Sequence, residues 1–126
     1  MDIALLSVSM NVYSTKRIAE EAEKSGHYIE LIDHTKCSVK LGADKPRIYH
    51  REEDITNEFD AIIPRIGAKV TRHGVAIVKQ FEMNGVFSTA RSLSIARARN
   101  KVRTLQIMAR KGIPIPETLF SADCCL

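Results

Sequence analysis

The chain has no tryptophan, only 6% aromatic residues, and just six glycines and four prolines in 126 residues. That composition excludes collagenous, linker-like and low-complexity chains. Three cysteines, an odd number without paired spacing, argue against a disulfide scaffold and for a reducing compartment. No stretch is long and apolar enough to span a bilayer, so no membrane association is expected. The opening MDIALLSVSM carries an acid at position 2, and no cationic segment precedes its short apolar stretch. It does not read as a signal peptide. Also missing are a P-loop, a G-x-G-x-x-G, a G-x-S-x-G and a paired CxxC. What remains is the expectation of one soluble, cytoplasmic domain, of a size that buries roughly two thirds of its unfolded surface.

One region also lacks acid. Residues 1–82 carry 12 Lys/Arg against 13 Asp/Glu, whereas residues 83–126 carry 7 against 2. Between Met83 and Pro116 there is no carboxylate at all. The net charge of +4 is therefore local, and a local basic patch implies an anionic partner.

Strand and helix signals alternate along the chain. Ile3-Ala4-Leu5-Leu6 is a short apolar run of the kind a parallel strand shows when both faces are covered. Ser14 is placed to cap a helix through Glu23 or Lys24, with Ile18, Ala19 and Ala22 inward and Gly26 as the stop. Tyr28–Ile32 and Phe59–Ile63 read as further strands, the latter ended by Pro64, and Val86–Ser88 as a fourth. Val70 to Glu82 has helical apolar spacing and closes at Asn84-Gly85. This order predicts an α/β fold with a Rossmann-like parallel sheet flanked by helices. Residues 34–58 interrupt the rhythm with a polar stretch and one small strand candidate at Arg47–His50, an excursion expected to be functional or mobile. Ser92 to Lys111 predicts a single helix, with Ile95, Ala98, Val102, Leu105 and Ala109 on a stripe covered by the sheet. At about 100° per residue, Arg97 and Lys101 flank one side of that stripe, and Arg99, Arg103 and Arg110 the other. Ile113 onward reads as an entry into another strand.

The candidate chemistry is sparse. His34 and Cys37 have H-x-x-C spacing, but two ligands do not close a zinc site, and a solvated loop is expected there. Cys124 and Cys125 are vicinal, and adjacent residues rarely reach disulfide geometry. Lys101 sits among Arg97, Arg99 and Arg103, and its ammonium suits a phosphate as a mobile point charge. A solvated helix face is the competing reading. Nucleic acid is a third, although no stacking aromatic is interleaved among these basic residues. Pro64-Arg65-Ile66-Gly67 follows directly on a strand, at the edge where open α/β sheets bind ligands. Arg65 is suited to grip a carboxylate or phosphate there, and Gly67 to let the backbone approach it. A turn with an exposed arginine fits the same residues. The polar stretch from Ser7 to Ser14 faces the same edge.

Tyr13-Ser14-Thr15-Lys16-Arg17, FDAIIPRIG at 59–67, QFEMNG at 80–85, SIARARNK at 94–101 and IPIPET at 113–118 together resemble the N-terminal part of the RimK family. Those are ATP-grasp ligases that add glutamate to the C-terminus of a small-subunit ribosomal protein. The resemblance implies a pre-ATP-grasp domain over residues 1–93. Residues 94–126 would then be a linking helix and the start of an ATP-grasp domain. It implies a nucleotide-phosphate role for Lys101 and a substrate-binding role for Arg65, with Gly67 and Ser14. It also implies ATP and magnesium as cofactors, and ATP, glutamate and a ribosomal-protein C-terminus as partners. The second phosphate-binding lysine, the glycine-rich loop and the acidic magnesium ligands of the family would lie beyond Leu126. No catalytic residue, metal ligand or tightly bound cofactor is therefore expected within these residues, nor activity from them alone. One departure stands out, because family members usually have Asp where Asn100 precedes Lys101. Related amino-acid ligases acting on another carrier or cofactor share this pattern. A stand-alone nucleotide- or RNA-binding module would instead show saturable binding by the basic helix, and an assembly domain would show as a homo-oligomer.

Overall fold

Four short parallel strands that look unremarkable in isolation become the centre of the molecule because both of their faces find cover. A computed structural model describes residues 1–122. Strand β1 (Asp2–Leu6) pairs in parallel with β2 (Tyr28–Ile32) on one side and β6 (Ala61–Pro64) on the other. Strand β7 (Phe87–Ser88) pairs in parallel with β6, which sets the strand order at β2-β1-β6-β7. Helix α1 (Tyr13–Lys24) connects β1 to β2, and α2 (Thr71–Met83) connects β6 to β7. The two connections leave the centre in opposite directions, so right-handed crossovers put their helices on opposite faces. Side-chain alternation along β1 matches this. Ala4 and Leu6 join a core with Ile62, Ile77, Val78 and Phe81, while Ile3 and Leu5 lie buried outside that cluster. Gly26 and Gly85, the expected stops, adopt φ of 79° and 87° after α1 and α2, a region that glycine enters without a Cβ penalty.

The excursion over residues 34–58 packs onto the main core. A 3-10 turn at His34–Lys36 leads into a three-stranded antiparallel meander of β3 (Cys37–Lys40), β4 (Arg47–His50) and β5 (Glu53–Asp54). Cys37, Ile48, Ile55 and Phe59 carry it into the main core. These residues are too widely spaced in sequence to form an apolar run, and only the pairing of strands collects them on one face.

The predicted long helix is two helices. Helix α3 (Ser92–Arg99) and α4 (Lys101–Arg110) are separated by Asn100, whose ψ of 99° is extended. Asn100 caps α4, its Oδ1 accepting from the Arg103 backbone N–H at 2.9 Å. An asparagine before a helical run is a strong N-cap, and here that local preference interrupts the stripe. Ile95 packs against the core, but α4 buries no residue, so the sheet does not cover Val102, Leu105 and Ala109. Residues 113–122 form no strand. Cys124 and Cys125 lie outside the described residues.

Candidate functional site

β1 and β6 are the neighbours at which the connections of the parallel sheet diverge, and the crevice beyond the carboxyl ends of such strands is where open α/β sheets bind ligands. A cavity of about 560 Å³ occupies that place, lined among others by Ser7, Thr15, Arg65, Ile66, Ile95 and Arg99. No carboxylate is among its lining residues. At its base, the buried hydroxyls of Ser7 and Thr15 lie 3.3 Å apart and share a hydrogen bond. The Arg65 backbone N–H donates to the Leu6 carbonyl at 2.8 Å, which continues the β1–β6 ladder by one residue and fixes where the side chain begins. The exposed Arg65 guanidinium then reaches Ser14 Oγ at 2.7 Å. Ser14 therefore does not cap α1. It lies within the helix and is used sideways, while Val12 occupies the cap position with no side-chain bond. Arg65, Gly67 and Thr15 of the expected YSTKR and PRIG segments thus line one crevice, with Ser14 bonded to its arginine.

Lys101 lies elsewhere, though close by. It lines a second cavity of about 870 Å³ with Arg72, Arg99 and Asn100. The α-helical stripe placed Arg99 and Lys101 on opposite edges. The break at Asn100 resets the helical phase and brings both to one groove. Arg99 and Ala98 line both cavities, so the crevice holding Arg65 and the groove holding Lys101 are adjoining spaces. The Arg99 guanidinium donates to the Ile66 carbonyl, which ties α3 to the loop after β6. Lys101 also opens a ten-residue helix, whose unpaired N–H groups add partial positive charge where the ammonium already stands. Arg72 was not among the sequence candidates, because nothing local distinguishes it from any other exposed basic residue.

This donor set fits the phosphates of a nucleotide: Lys101 and Arg72 with the α4 terminus present cations and N–H groups, and no carboxylate opposes them. It does not fit magnesium. Among the described residues, no group of three or more His, Cys, Asp or Glu is placed to hold a metal ion.

His34 and Cys37 are not a solvated loop. His34 is fully buried with neither ring nitrogen hydrogen-bonded, and Cys37 is buried with its thiol donating to the Asp33 carbonyl at 3.7 Å. Burial lowers the His34 pKa, Asp33 opposes that, and His73 adds to it. Burial, with Asp33 beside it, pushes the Cys37 thiol up to about 12, so it stays protonated and unreactive.

The RimK PreATP-grasp domain matches residues 1–95. A protein named "Probable alpha-L-glutamate ligase" from Nitrosococcus oceani is 46% identical over 121 residues, covering 96% of this chain and 40% of its own length. A protein of the same name from Aliivibrio fischeri is 43% identical over 122 residues, covering 97% of this chain and 40% of its own. The chain thus spans about 40% of the length of these curated relatives. The crystal structure of the macrocyclase MdnB from Microcystis aeruginosa MRC superposes with a TM-score of 0.68 at 19% identity. That overlap covers 98% of this chain and 54% of MdnB, and it shows a shared fold. Among the described residues no helix is long and apolar enough to cross a membrane.

Proposed function

The chain belongs to the RimK family, and from that premise we propose that it forms the N-terminal part of an ATP-dependent glutamate ligase. In this reading residues 1–93 are the pre-ATP-grasp domain and residues 94–126 lead into the ATP-grasp domain of a longer cytoplasmic protein. The acceptor would be the C-terminal carboxylate of a small-subunit ribosomal protein. ATP would transfer its terminal phosphoryl group to a carboxylate, leaving ADP, and the glutamate amine would then attack the acyl carbon, forming the amide and releasing phosphate. The domain described here would bind and orient. Lys101, at the start of α4, would hold nucleotide phosphates. Arg65 would hold a substrate carboxylate, with Ser14 steering its guanidinium and Gly67 leaving the backbone accessible. Magnesium, which such a transfer needs to neutralise the phosphoryl group, would require ligands other than the described residues.

The observation that carries this reading is the shared wall at Ala98 and Arg99. It sets an acid-free crevice beside an acid-free groove, which suits two anionic groups that must meet. The absence of aromatic residues from the lining of both cavities argues against base stacking on this surface. A ligase acting on another carrier would use the same residues, and mass spectrometry of glutamylated products from candidate acceptors separates the two.

The direct test is an NMR titration of the 126-residue chain with ATP and, separately, with N-acetyl-glutamate at low salt. ATP should shift resonances around Lys101 and Arg72, and N-acetyl-glutamate those around Arg65, Gly67 and Ser14. Lys101→Ala should weaken ATP binding about tenfold while leaving the carboxylate ligand unaffected, and Arg65→Ala should do the reverse. Overlapping shifts for both ligands, or none with either, would sink the assignment.

A further inference from the structure

The loop that carries Arg65 is held from four directions. β1 fixes its backbone, through the Arg65 N–H to the Leu6 carbonyl at 2.8 Å. α1 fixes its guanidinium, through Ser14 Oγ at 2.7 Å. α3 fixes the next peptide, through the Arg99 guanidinium on the Ile66 carbonyl. The fourth restraint is steric and comes from α2. Ile66 is only 6% exposed, and its side chain fills a notch that exists because residue 74 is glycine. A Cβ at Gly74 would lie 2.4 Å from Ile66 Cγ2, 3.0 Å from Cδ1 and 3.2 Å from Cγ1. Gly74 stands inside α2, where glycine is a poorer helix former than alanine. Helix formation therefore gives no reason for glycine at this position, whereas the close approach of Ile66 does.

Ile66 also joins the core, so it cannot swing away from an added methyl without moving the loop. Arg65 precedes it directly and forms no ion pair among the described residues. Its direction is set by the loop and by Ser14 alone. Arg99 acts on the same loop from the solvent side, and as an exposed residue it contributes little to the core.

We propose that Gly74 and Arg99 are positioning residues that act through Ile66: the notch seats its side chain, the guanidinium pins its carbonyl, and together they aim Arg65 into the crevice for a carboxylate ligand. This rests on the reading of Arg65 given above. A displacement of the order of 1 Å is enough to degrade recognition by a fixed charged group.

The test uses the 126-residue chain with N-acetyl-glutamate as the probe, alongside hydrogen exchange of the Arg65 amide without ligand. Gly74→Ala should weaken probe binding about tenfold and expose the Arg65 amide to faster exchange. Pairing it with Ile66→Ala removes every atom within 3.2 Å of the new Cβ. Ile66→Ala alone should also weaken the probe and speed exchange because it empties the notch. The double variant should be no worse than Gly74→Ala alone, a non-additivity that is the signature of coupling between the two positions. Arg99→Ala, which leaves the core intact, should weaken the probe about threefold to tenfold and also speed exchange. ATP shifts at Lys101 should persist in Gly74→Ala. Unchanged exchange in both Gly74→Ala and Arg99→Ala, or effects of Gly74→Ala and Ile66→Ala that simply add in the double variant, would overturn the proposal. If Arg65→Ala leaves probe binding unchanged while exchange responds as expected, the carboxylate reading fails and the clamp on the loop stands.

Discussion

Residues 1–92 and residues 101–122 differ in what water reaches. Every buried side chain among the described residues lies between Ile3 and Ser92. α4 has none, and beyond it Leu119 and Phe120 remain 74% and 73% exposed. Both regions carry apolar residues at regular spacing, so composition does not separate them. What separates them is cover. β1 has a strand on each side and a helix on each face, whereas Val102, Leu105 and Ala109 line, with Ile115 and Phe120, a cavity of about 330 Å³. The basic groups Arg99 and Lys101 stand where the enclosed part gives way to the exposed one. The core therefore fixes the Arg65 loop rigidly, while Lys101 is held by one helix start and its cap.

The sharpest way to break this contrast is to cut the same kind of group from each region. Phe81→Ala empties a fully buried site in α2 and should cost about 3–5 kcal/mol, seen as a large drop in the urea midpoint. Leu105→Ala, in α4, should cost less than about 1 kcal/mol in the same measurement. Equal losses would mean that α4 belongs to the cooperative core after all.

A second contrast concerns pH. Burial holds the folded His34 pKa below its ordinary value, so between that ordinary value and the folded one the unfolded chain binds the extra proton. Stability is then fully present above about pH 6.5 and falls as pH drops below it. One proton limits the slope to about 1.4 kcal/mol per pH unit. Asp33 and His73 are the titratable neighbours that modify this, and His34→Leu should flatten the profile between pH 7 and 5 as read by thermal unfolding. The surface contributes at the other end of the scale. Asp54, held at about 2 by hydrogen bonds from Thr56 and by Arg47, loses its contribution as pH falls from the ordinary value of 3.8 to about 2.

The smallest expected effect falls on the cap. Asn100→Ala removes the acceptor for the Arg103 N–H, worth about 1 kcal/mol to α4. Because α4 stands outside the core, the urea midpoint should hold while exchange of the first α4 amides speeds up severalfold. An equal shift in the midpoint would show that α4 and the core unfold together.

Much of the fold was legible because strands and helices announce themselves locally. Tyr28–Ile32 is a strand over the residues its pattern suggested, and α2 starts and stops within a residue of its spacing and its Asn84-Gly85 signal. Within residues 34–58 the strand at Arg47–His50 was legible but the meander around it was not, since Cys37, Ile48 and Ile55 meet only after three strands pair. Likewise His34 and Cys37 suggested exposure by their polar neighbours and proved buried. At the candidate site, Arg65 was visible as a residue after a strand, but its partner was not. Ser14 is 51 residues away in sequence, and its own surroundings favoured a cap.

The sequence by itself determined where apolar periods begin and end, and that the positive charge gathers after Met83, because both are properties of neighbouring residues. Only the tertiary structure decided that Arg99 and Lys101, on either side of the Asn100 cap, would line one groove with Arg72. It also decided that Gly74 would open the notch for Ile66 and aim Arg65 at an acid-free crevice. Those outcomes depend on how distant segments approach one another through space, and no spacing along the chain encodes that distance.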